Sequence, residues 1–167
     1  MKAQAYPELR LSVQWTNPKA MAAARAALPR HVVARAVRHA LKQGVMALPA
    51  KSRPVAAEIA VRMVASEEGR ALNRQYRSKD YATNVLTFDY ALAPILLADV
   101  VLCVPVLERE AAEQNKDLQA HGLHLLVHGT LHAMGYDHEH SQQAAQEMEA
   151  LESQILQGLG VGNPYEA

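Results

Sequence analysis

Polar and apolar residues alternate with a period of two in several short stretches, and this pattern predicts β-strands. Residues 9–15 alternate in this way, as expected for a strand with one buried face. Residues 57–65 and 85–90 are further strand candidates, and residues 99–104 are almost wholly apolar, which indicates a central strand. The sequence therefore predicts about four strands, with a connection of undefined form over residues 91–98.

Between these stretches, apolar residues recur every three to four positions, which predicts helices. Gly44 and Gly160 stand where two of them would end, since glycine readily adopts the backbone conformation that closes a helix. Helices are expected over residues 20–27, 29–43, 66–76, 106–114, 117–134 and 141–159. We therefore predict an α+β (mixed α/β) fold in a single domain over residues 1–167. Its roughly four-stranded mixed sheet would be covered by about five to six helices, with helix 117–134 packed on the sheet.

The composition is that of a protein with one sizeable core and no membrane segment. Half of the 167 residues are hydrophobic, which is enough to bury one core. The single cysteine, Cys103, excludes an internal disulfide and fits a reducing compartment. The N-terminus lacks the apolar core of a signal peptide, and the longest apolar stretch, 92–107, contains Asp99 and two prolines. A soluble, cytoplasmic protein without membrane contact is expected.

Charge is distributed unevenly, although the formal net charge is zero. Residues 1–60 carry ten Lys or Arg against two Asp or Glu, whereas residues 107–167 carry two against ten. A local excess of positive charge is compatible with a polyanionic partner, because the local field rather than the net charge attracts it. Solvated helix faces carry such residues too, so charge alone does not decide whether the partner exists.

Six of the eight histidines lie between residues 121 and 140, and three of them have the spacing of metal ligands. On a helix, His128 and His132 are one turn apart and leave the same face. Gly135 can end that helix in the left-handed conformation, so that the chain turns back and brings His138 towards the other two. Three neutral imidazoles suit zinc, and three protein ligands leave a position open. We predict one catalytic Zn²⁺ per chain.

Two other histidines could compete as ligands. His124 and His121 precede His128 along the same predicted helix. We interpret both as residues that pack or that support the ligands, and His140 as solvated.

The ligand spacing, taken alone, is also that of metzincin proteases. Those enzymes place a glutamate directly after the first histidine as general base, but here that residue is Gly129. Asp137 is the only carboxylate in the motif that could replace it. The missing glutamate weakens the protease interpretation.

Two separated motifs resemble the YbeY family of bacterial endoribonucleases. The run His-Gly-Thr-Leu-His-Ala-Met-Gly-Tyr-Asp-His at residues 128–138 is similar to the signature of that family. Residues 72–88 resemble its other motif, with a Tyr-Arg pair, Lys-Asp and Thr-Asn-Val-Leu-Thr-Phe. Asp99 with the strand after it, and residues 160–165, agree as well, so the resemblance covers roughly residues 55–165.

This sequence departs from the family pattern at three positions near the second motif. Ala82 and Asp89 stand where the family usually has proline, and Ala98 stands where it has glycine. None of these is a predicted metal ligand. They bear on the shape of the cleft wall over residues 89–98.

The resemblance implies both the site and the substrate. It makes His128, His132 and His138 the zinc ligands and Arg77 the functional arginine, and these four residues the catalytic set. It implies a cytoplasmic, single-strand-specific endoribonuclease acting in ribosomal RNA processing, above all 3′-end maturation of the small-subunit RNA, and in ribosome quality control. The partners implied are ribosomal RNA and the small ribosomal subunit or its assembly factors.

Elementary chemistry is consistent with these roles. Phosphodiester hydrolysis requires neutralisation of charge on the non-bridging oxygens, which zinc and the Arg77 guanidinium would supply. Zinc also lowers the pKa of a bound water to about 7, which would explain how Gly129 is tolerated. Two alternatives stay open: a zinc-dependent peptidase or other metallohydrolase, and a non-catalytic ribosome assembly factor with a structural metal. The sequence does not indicate the oligomeric state.

Overall fold

The computed structural model describes residues 6–137 and 139–165, which form four strands and six α-helices. The strands are β1 (Glu8–Trp15), β2 (Ala56–Val64), β3 (Val85–Ala91) and β4 (Ile95–Cys103). The helices are α1 (Ala22–Ala27), α2 (Arg30–Met46), α3 (Ser66–Arg77), α4 (Val104–Glu113), α5 (Leu118–Ala133) and α6 (Gln142–Gly158), with a short 3-10 helix at Ala50–Ser52. None of the described helices is long and apolar enough to cross a membrane.

The strands form one mixed sheet in the order β1-β2-β4-β3. Strands β1, β2 and β4 are parallel, and β3 pairs antiparallel with β4 at the edge. The predicted mixed α+β fold, with roughly four strands and about five to six helices, is therefore confirmed. Strand β4 lies inside the sheet and is buried over most of its length, as its apolar sequence predicted.

Apolar side chains alternate with polar ones along the strands, and the apolar face of the sheet packs against a layer of helices. In β1 the residues Leu9, Leu11, Val13 and Trp15 are less exposed than the polar residues between them and pack against the core. Helices α2 and α5 cover this face, and α6 packs against both of them. The opposite face is covered by α3 at one end, where a smaller apolar cluster includes Leu86, Val101 and Cys103.

Strand β4 begins four residues earlier than predicted, at Ile95 instead of residue 99. The connection from β3 is therefore a short turn after Ala91, and not an eight-residue segment. The physical reason is the neighbouring strand, because Ala56 of β2 pairs with Ile95 and the parallel ladder continues from there without a gap. Alternate burial of Leu96 and Ala98 follows from that pairing.

Helix α5 lies close to the sheet because one of its buried residues is Gly129. A Cβ atom built on Gly129 would lie 2.7 Å from Val100 Cγ1 and 3.2 Å from Val85 Cγ2. The Thr87 hydroxyl on β3 donates a hydrogen bond of 3.0 Å to the Gly129 carbonyl oxygen. The predicted packing of this helix on the sheet is thus present, and glycine at this position allows it.

We expect Gly129→Ala to lower the free energy of unfolding by about 1–2 kcal/mol. Alanine gains up to about 1 kcal/mol of helix propensity, but overpacking against the stiff Val100 side chain costs about 1–3 kcal/mol. Urea denaturation measures the difference. Gly162→Ala is the control, because a Cβ atom there meets nothing within 4 Å. Equal stability of Gly129→Ala and wild type would show that α5 and the sheet can separate without cost.

Candidate metal centre

Helix α5 carries a row of four histidines along one side. Asp117 caps its first turn by accepting a hydrogen bond from the backbone N–H of Ala120. Spacings of three and four residues stack the imidazoles of His121, His124, His128 and His132, with successive ring centroids 6.2, 6.3 and 4.6 Å apart. The four histidines therefore form one continuous row from the first turn of α5 to its last.

The chain reverses direction directly after this row, as Gly135 predicted. Gly135 has φ +93°, and its N–H donates to the His132 carbonyl while the N–H of Tyr136 donates to the Leu131 carbonyl. This double hydrogen bond is the Schellman arrangement that closes helices. The Tyr136 hydroxyl donates to the Gly44 carbonyl at 2.7 Å, which ties the turn to α2.

The first histidine of the row binds a carboxylate from α4. His121 is almost fully buried, and its Nε2 lies 3.0 Å from Glu110 Oε1. The same oxygen accepts a hydrogen bond of 3.0 Å from the Asn84 side chain, which precedes β3. His121 thus joins α5 to α4 and to the start of β3, and this contact places it away from His132.

Glu152 on α6 is the centre of a second polar cluster. Its side chain is fully buried, and its carboxylate accepts a short hydrogen bond from the Tyr165 hydroxyl. His128 Nδ1 makes another short hydrogen bond to Glu152 Oε1, and His124 Nε2 lies 3.3 Å from Glu152 Oε2. Burial raises the pKa of Glu152, but the hydrogen bonds from His124, His128 and Tyr165 outweigh it and hold the pKa at about 2. The carboxylate is therefore ionised, and both of its oxygens are engaged by these three neighbours.

Sequence reasoning missed Glu152, although the helical period contained a signal for it. Glu152 lies on the same buried face of α6 as Met148, Ile155 and Leu156. A charged residue on the apolar face of a helix is uncommon unless it has a partner, because burial of an unpaired charge is costly. The position of Glu152 in the period therefore predicts a buried partner, but not which one.

A cleft of about 710 Å³ opens beside the end of α5. Its wall includes β3, the end of α3 and the turn after α5, with Arg77, Thr87, His128, His132, Asp137 and Glu139 among the lining residues. The structure thus brings the predicted arginine to the same cavity as two of the predicted ligands. His121, His124 and Glu152 are not among the described residues that line it.

The two histidines in the cleft have a geometry that fits a metal ion. His128 Nε2 and His132 Nε2 lie 3.1 Å apart. Two zinc–nitrogen bonds of about 2.0–2.1 Å at a tetrahedral angle place the nitrogens about 3.3 Å apart, so little adjustment is required. The contact of His128 Nδ1 with Glu152 aims the other ring nitrogen at the cleft, as carboxylates do for metal-binding histidines.

A second group of residues could also hold a cation. His124, His128 and Glu152 have possible ligand atoms that all lie within 4.8 Å of one another. A metal among them would have to compete with the hydrogen bonds that Glu152 already accepts, including that of Tyr165. Only His128 of this group lines the cleft, whereas His128 and His132 both do. The open access that a catalytic metal needs therefore favours the pair His128 and His132.

The third predicted ligand, His138, lies outside the described residues. Its two neighbours in the chain, Asp137 and Glu139, both line the cleft. Asp137 accepts a hydrogen bond of 2.8 Å from the backbone N–H of Glu139. Asp137, the one carboxylate of the motif, thus lies at the cleft and also binds the backbone of Glu139.

Arg77 is the last residue of α3, and its side chain extends into the cleft region. Its Nη2 lies 3.9 Å from Glu139 Oε1, and both side chains are largely exposed. Such an exposed pair contributes little to stability, so an anionic ligand could replace Glu139 at small cost. The loop after Arg77 is held more firmly, because Arg70 binds Asp80 through two hydrogen bonds and buried Asn73 donates to the Tyr81 carbonyl.

None of the described residues in the basic N-terminal third of the chain lines the cleft. Arg77 is the only Lys or Arg among the described residues that line it. Exposed Arg35, Arg38 and Lys42 lie on α2, which packs against β1, α5 and α6. Strand β1 is at the edge of the sheet opposite β3, so the main basic surface and the cleft belong to different ends of the sheet.

The three departures from the family pattern have different surroundings. Ala98 is buried within β4, and Ala82 packs against the small apolar cluster under α3. Only Asp89 lines the cleft, where it is exposed on β3. The cleft wall over residues 89–98 is therefore altered chiefly by one added carboxylate.

The chain is similar to known proteins over most of its length. The family profile described as endoribonuclease YbeY matches residues 20–160. Proteins named endoribonuclease YbeY from Acidovorax sp. (strain JS42) and Polaromonas naphthalenivorans (strain CJ2) are 58% and 59% identical to this chain over 160 and 157 residues. These alignments cover 96% and 94% of this chain, and 97% and 96% of the two relatives. A solution structure from Thermotoga maritima aligns with 95% of this chain and 100% of its own at 19% identity and a TM-score of 0.46.

Proposed function

This chain belongs to the YbeY family and is an endoribonuclease, and on that premise we propose that it cuts single-stranded ribosomal RNA. The step proposed is 3′-end maturation of the small-subunit RNA, together with ribosome quality control in the cytoplasm. Its partners would be the small ribosomal subunit or the assembly factors bound to it. One observation carries the proposal: the cleft joins a histidine pair of metal-ligand geometry to Arg77, the one guanidinium among the described residues of its wall.

We propose that the cleft holds one Zn²⁺ per chain on His128, His132 and His138. The opposed ring nitrogens of the first two support this assignment, as do the neighbours of His138 at the cleft. Glu152 would then orient His128 without binding the metal. Zinc would supply Lewis acidity towards phosphate oxygens and would make water more acidic.

The remaining catalytic work falls to residues of the chain itself. Hydrolysis adds water across one P–O bond, and negative charge accumulates on the two non-bridging oxygens as the bond breaks. The guanidinium of Arg77 can donate two parallel N–H groups to these oxygens, which a single ammonium cannot do in the same plane. Glu139 is the only described ion-pair partner of Arg77, and the phosphate would replace it.

The two alternatives lack comparable support. A metzincin-like peptidase would need a carboxylate beside the first ligand, but the position after His128 is packed against Val100 and has no room for one. A non-catalytic assembly factor is at odds with the endoribonuclease relatives, which match over nearly the whole chain.

The function can be tested by RNA cleavage with purified protein. We expect the zinc-loaded protein to cut a single-stranded oligonucleotide that spans the 3′ end of the precursor small-subunit RNA. The same sequence annealed to its complement should be cut far more slowly. Equal cleavage of the single-stranded and the annealed RNA would contradict single-strand specificity. If His132→Ala still cut both RNAs, the activity would come from a contaminating nuclease.

Glu152→Gln is expected to weaken zinc binding by roughly 10- to 100-fold while the protein stays folded. Glutamine keeps the shape of the side chain but removes the charge that orients the His128 ring, and loss of such a group typically has this effect on metal affinity. Competition with a chromogenic chelator measures the affinity.

Glu149→Gln is the matched control, because Glu149 lies on the same helix and is exposed. It should bind zinc like the wild type. A Glu152→Gln protein with unchanged zinc affinity would show that Glu152 only fills the core, whereas complete loss of zinc would favour Glu152 as a ligand.

A further inference from the structure

Aromatic side chains are few in this protein, and three of them lie in one place. The chain has six tyrosines, one phenylalanine and one tryptophan. The buried hydrophobic core of the described residues contains none of them. Tyr76, Phe88 and Tyr90, however, all line the cleft that contains His128 and His132. Three of the eight aromatic residues therefore line the cleft, while Trp15 and Tyr136 are only partly buried where they pack against the core.

Tyr76 and Phe88 form an aromatic pair across two elements. Their ring centroids are 4.8 Å apart at an interplanar angle of 67°, the edge-to-face arrangement that aromatic rings favour. Phe88 packs into the small apolar cluster under α3, whereas Tyr76 is 60% exposed and directly precedes Arg77. Phe88 thus supports a tyrosine ring that is open to solvent beside the guanidinium.

Tyr90 is exposed but held in place. It lies on β3 at the irregularity between Asp89 and Ala91, and such a bulge can turn a side chain away from the ordinary alternation. Its hydroxyl donates a hydrogen bond of 3.1 Å to Asp99 Oδ2 on β4, while the residue remains 65% exposed. A ring anchored through its hydroxyl can accept a stacking partner with little further loss of side-chain freedom.

The charged residues of the cleft wall can attract only a small part of an RNA strand's phosphate backbone. Arg77 is the only Lys or Arg among the described lining residues, and Asp89, Asp137 and Glu139 line the same wall. This wall can neutralise about one phosphate, and the carboxylates oppose the neighbouring ones. Affinity for the rest of the strand must therefore come from the parts of RNA that are not anionic, the bases and the riboses, and it is the bases that can stack on aromatic rings.

We propose that unpaired bases next to the scissile phosphate stack on Tyr76, backed by Phe88, and on Tyr90. This inference rests on the proposed function, since it requires RNA to pass the metal centre. Because Tyr76 and Arg77 both line the cleft, a phosphate on Arg77 places an adjoining base within reach of the Tyr76 ring. Bases in a duplex are stacked on each other and cannot offer their faces, so these rings select single strands.

The experiment is a double-mutant cycle, in which removal of a tyrosine ring from the protein is combined with removal of one base from the RNA. The zinc-loaded protein is titrated against a short single-stranded RNA under single-turnover conditions, and the half-saturating concentration is measured. The RNA is either complete or abasic at one nucleotide next to the cleaved bond. Removal of a stacked base should raise the half-saturating concentration of the wild type roughly 5- to 100-fold, the range found for base–aromatic stacking.

In one of the two variants Tyr90→Ala and Tyr76→Ala, the one that lacks the ring on which this base stacks, the same abasic substitution should have almost no further effect. Tyr90→Phe, which keeps the ring, should retain most of the penalty. Tyr81→Ala is the control, since Tyr81 is 55% exposed on the neighbouring loop but does not line the cleft. It should behave as the wild type with every RNA.

Three outcomes would each overturn either the inference or the proposed function. If abasic penalties are the same in the wild type and in both alanine variants, the RNA is cut but its bases do not stack on these rings, and the inference is wrong. If the zinc-loaded wild type does not cut the complete RNA, the proposed function itself is wrong. A duplex RNA that loses affinity in Tyr90→Ala as much as a single strand does would also contradict the inference.

Discussion

Replacement of His132 by alanine is expected to remove the metal and to abolish RNA cleavage. His128→Ala and His138→Ala should each have the same effect, because two of three imidazoles retain an ion far more weakly than three. His124→Ala should keep about one zinc per chain, since its Nε2 contacts Glu152 and Tyr165 and not the cleft. Metal analysis after exhaustive dialysis measures the stoichiometry, and single-turnover cleavage measures the activity.

This series separates the two ways in which the structure could hold a cation. A metal on His128, His132 and His138 predicts loss in His132→Ala and retention in His124→Ala. A metal on His124, His128 and Glu152 predicts the reverse. His140→Ala controls for the removal of an exposed histidine from the same turn. Stoichiometric zinc in a protein that lacks all three predicted ligands would sink the assignment.

Arg77→Ala should lower RNA cleavage by a factor on the order of 100 or more, while zinc content and fold remain intact. A preorganised donor to developing phosphate charge contributes about this much when it is removed. The fold is insensitive because the side chain is largely exposed and its ion pair with Glu139 is long. The single-turnover rate at saturating protein is the measurement.

Arg77→Lys is expected to recover only part of the rate. Lysine keeps the positive charge but lacks the planar fork that holds two oxygens together, so its deficit measures geometry and not Coulomb attraction. Arg74→Ala is the matched control, because Arg74 lies one turn earlier on α3, is exposed and does not line the cleft. Wild-type cleavage by Arg77→Ala would mean that this arginine merely complements the dipole at the end of α3.

Two periods in the pattern of apolar residues, two residues for strands and three to four for helices, were sufficient to predict the elements of the fold. Alternation over residues 9–15 and the apolar run before residue 104 correspond to β1 and β4. Local chemistry also predicted how α5 ends, because only glycine readily adopts the positive φ found at Gly135. The start of β4 at Ile95 was not predictable locally, since pairing with Ala56 of β2 extends the strand.

For the candidate site, the sequence by itself determined which histidines are proposed as ligands and the order of His128 and His132 along one helix. The spacing of His128 and His132 is enough to place two imidazoles one turn apart, since helical geometry is local. Their meeting with Arg77 was implied only by the family resemblance, because about fifty residues separate them in the chain and sheet pairing brings them together.

Tertiary structure alone decided the support of the site. Glu152 reaches His128 from another helix, and Tyr76, Phe88 and Tyr90 converge from α3 and β3. From the sequence, Gly129 shows only that the glutamate of metzincins is absent. In the fold, it is the residue that allows α5 to approach Val100. Periodicity assigns each side chain to a face of its own element. Which faces meet depends on packing between elements distant in the chain, and no local pattern encodes that.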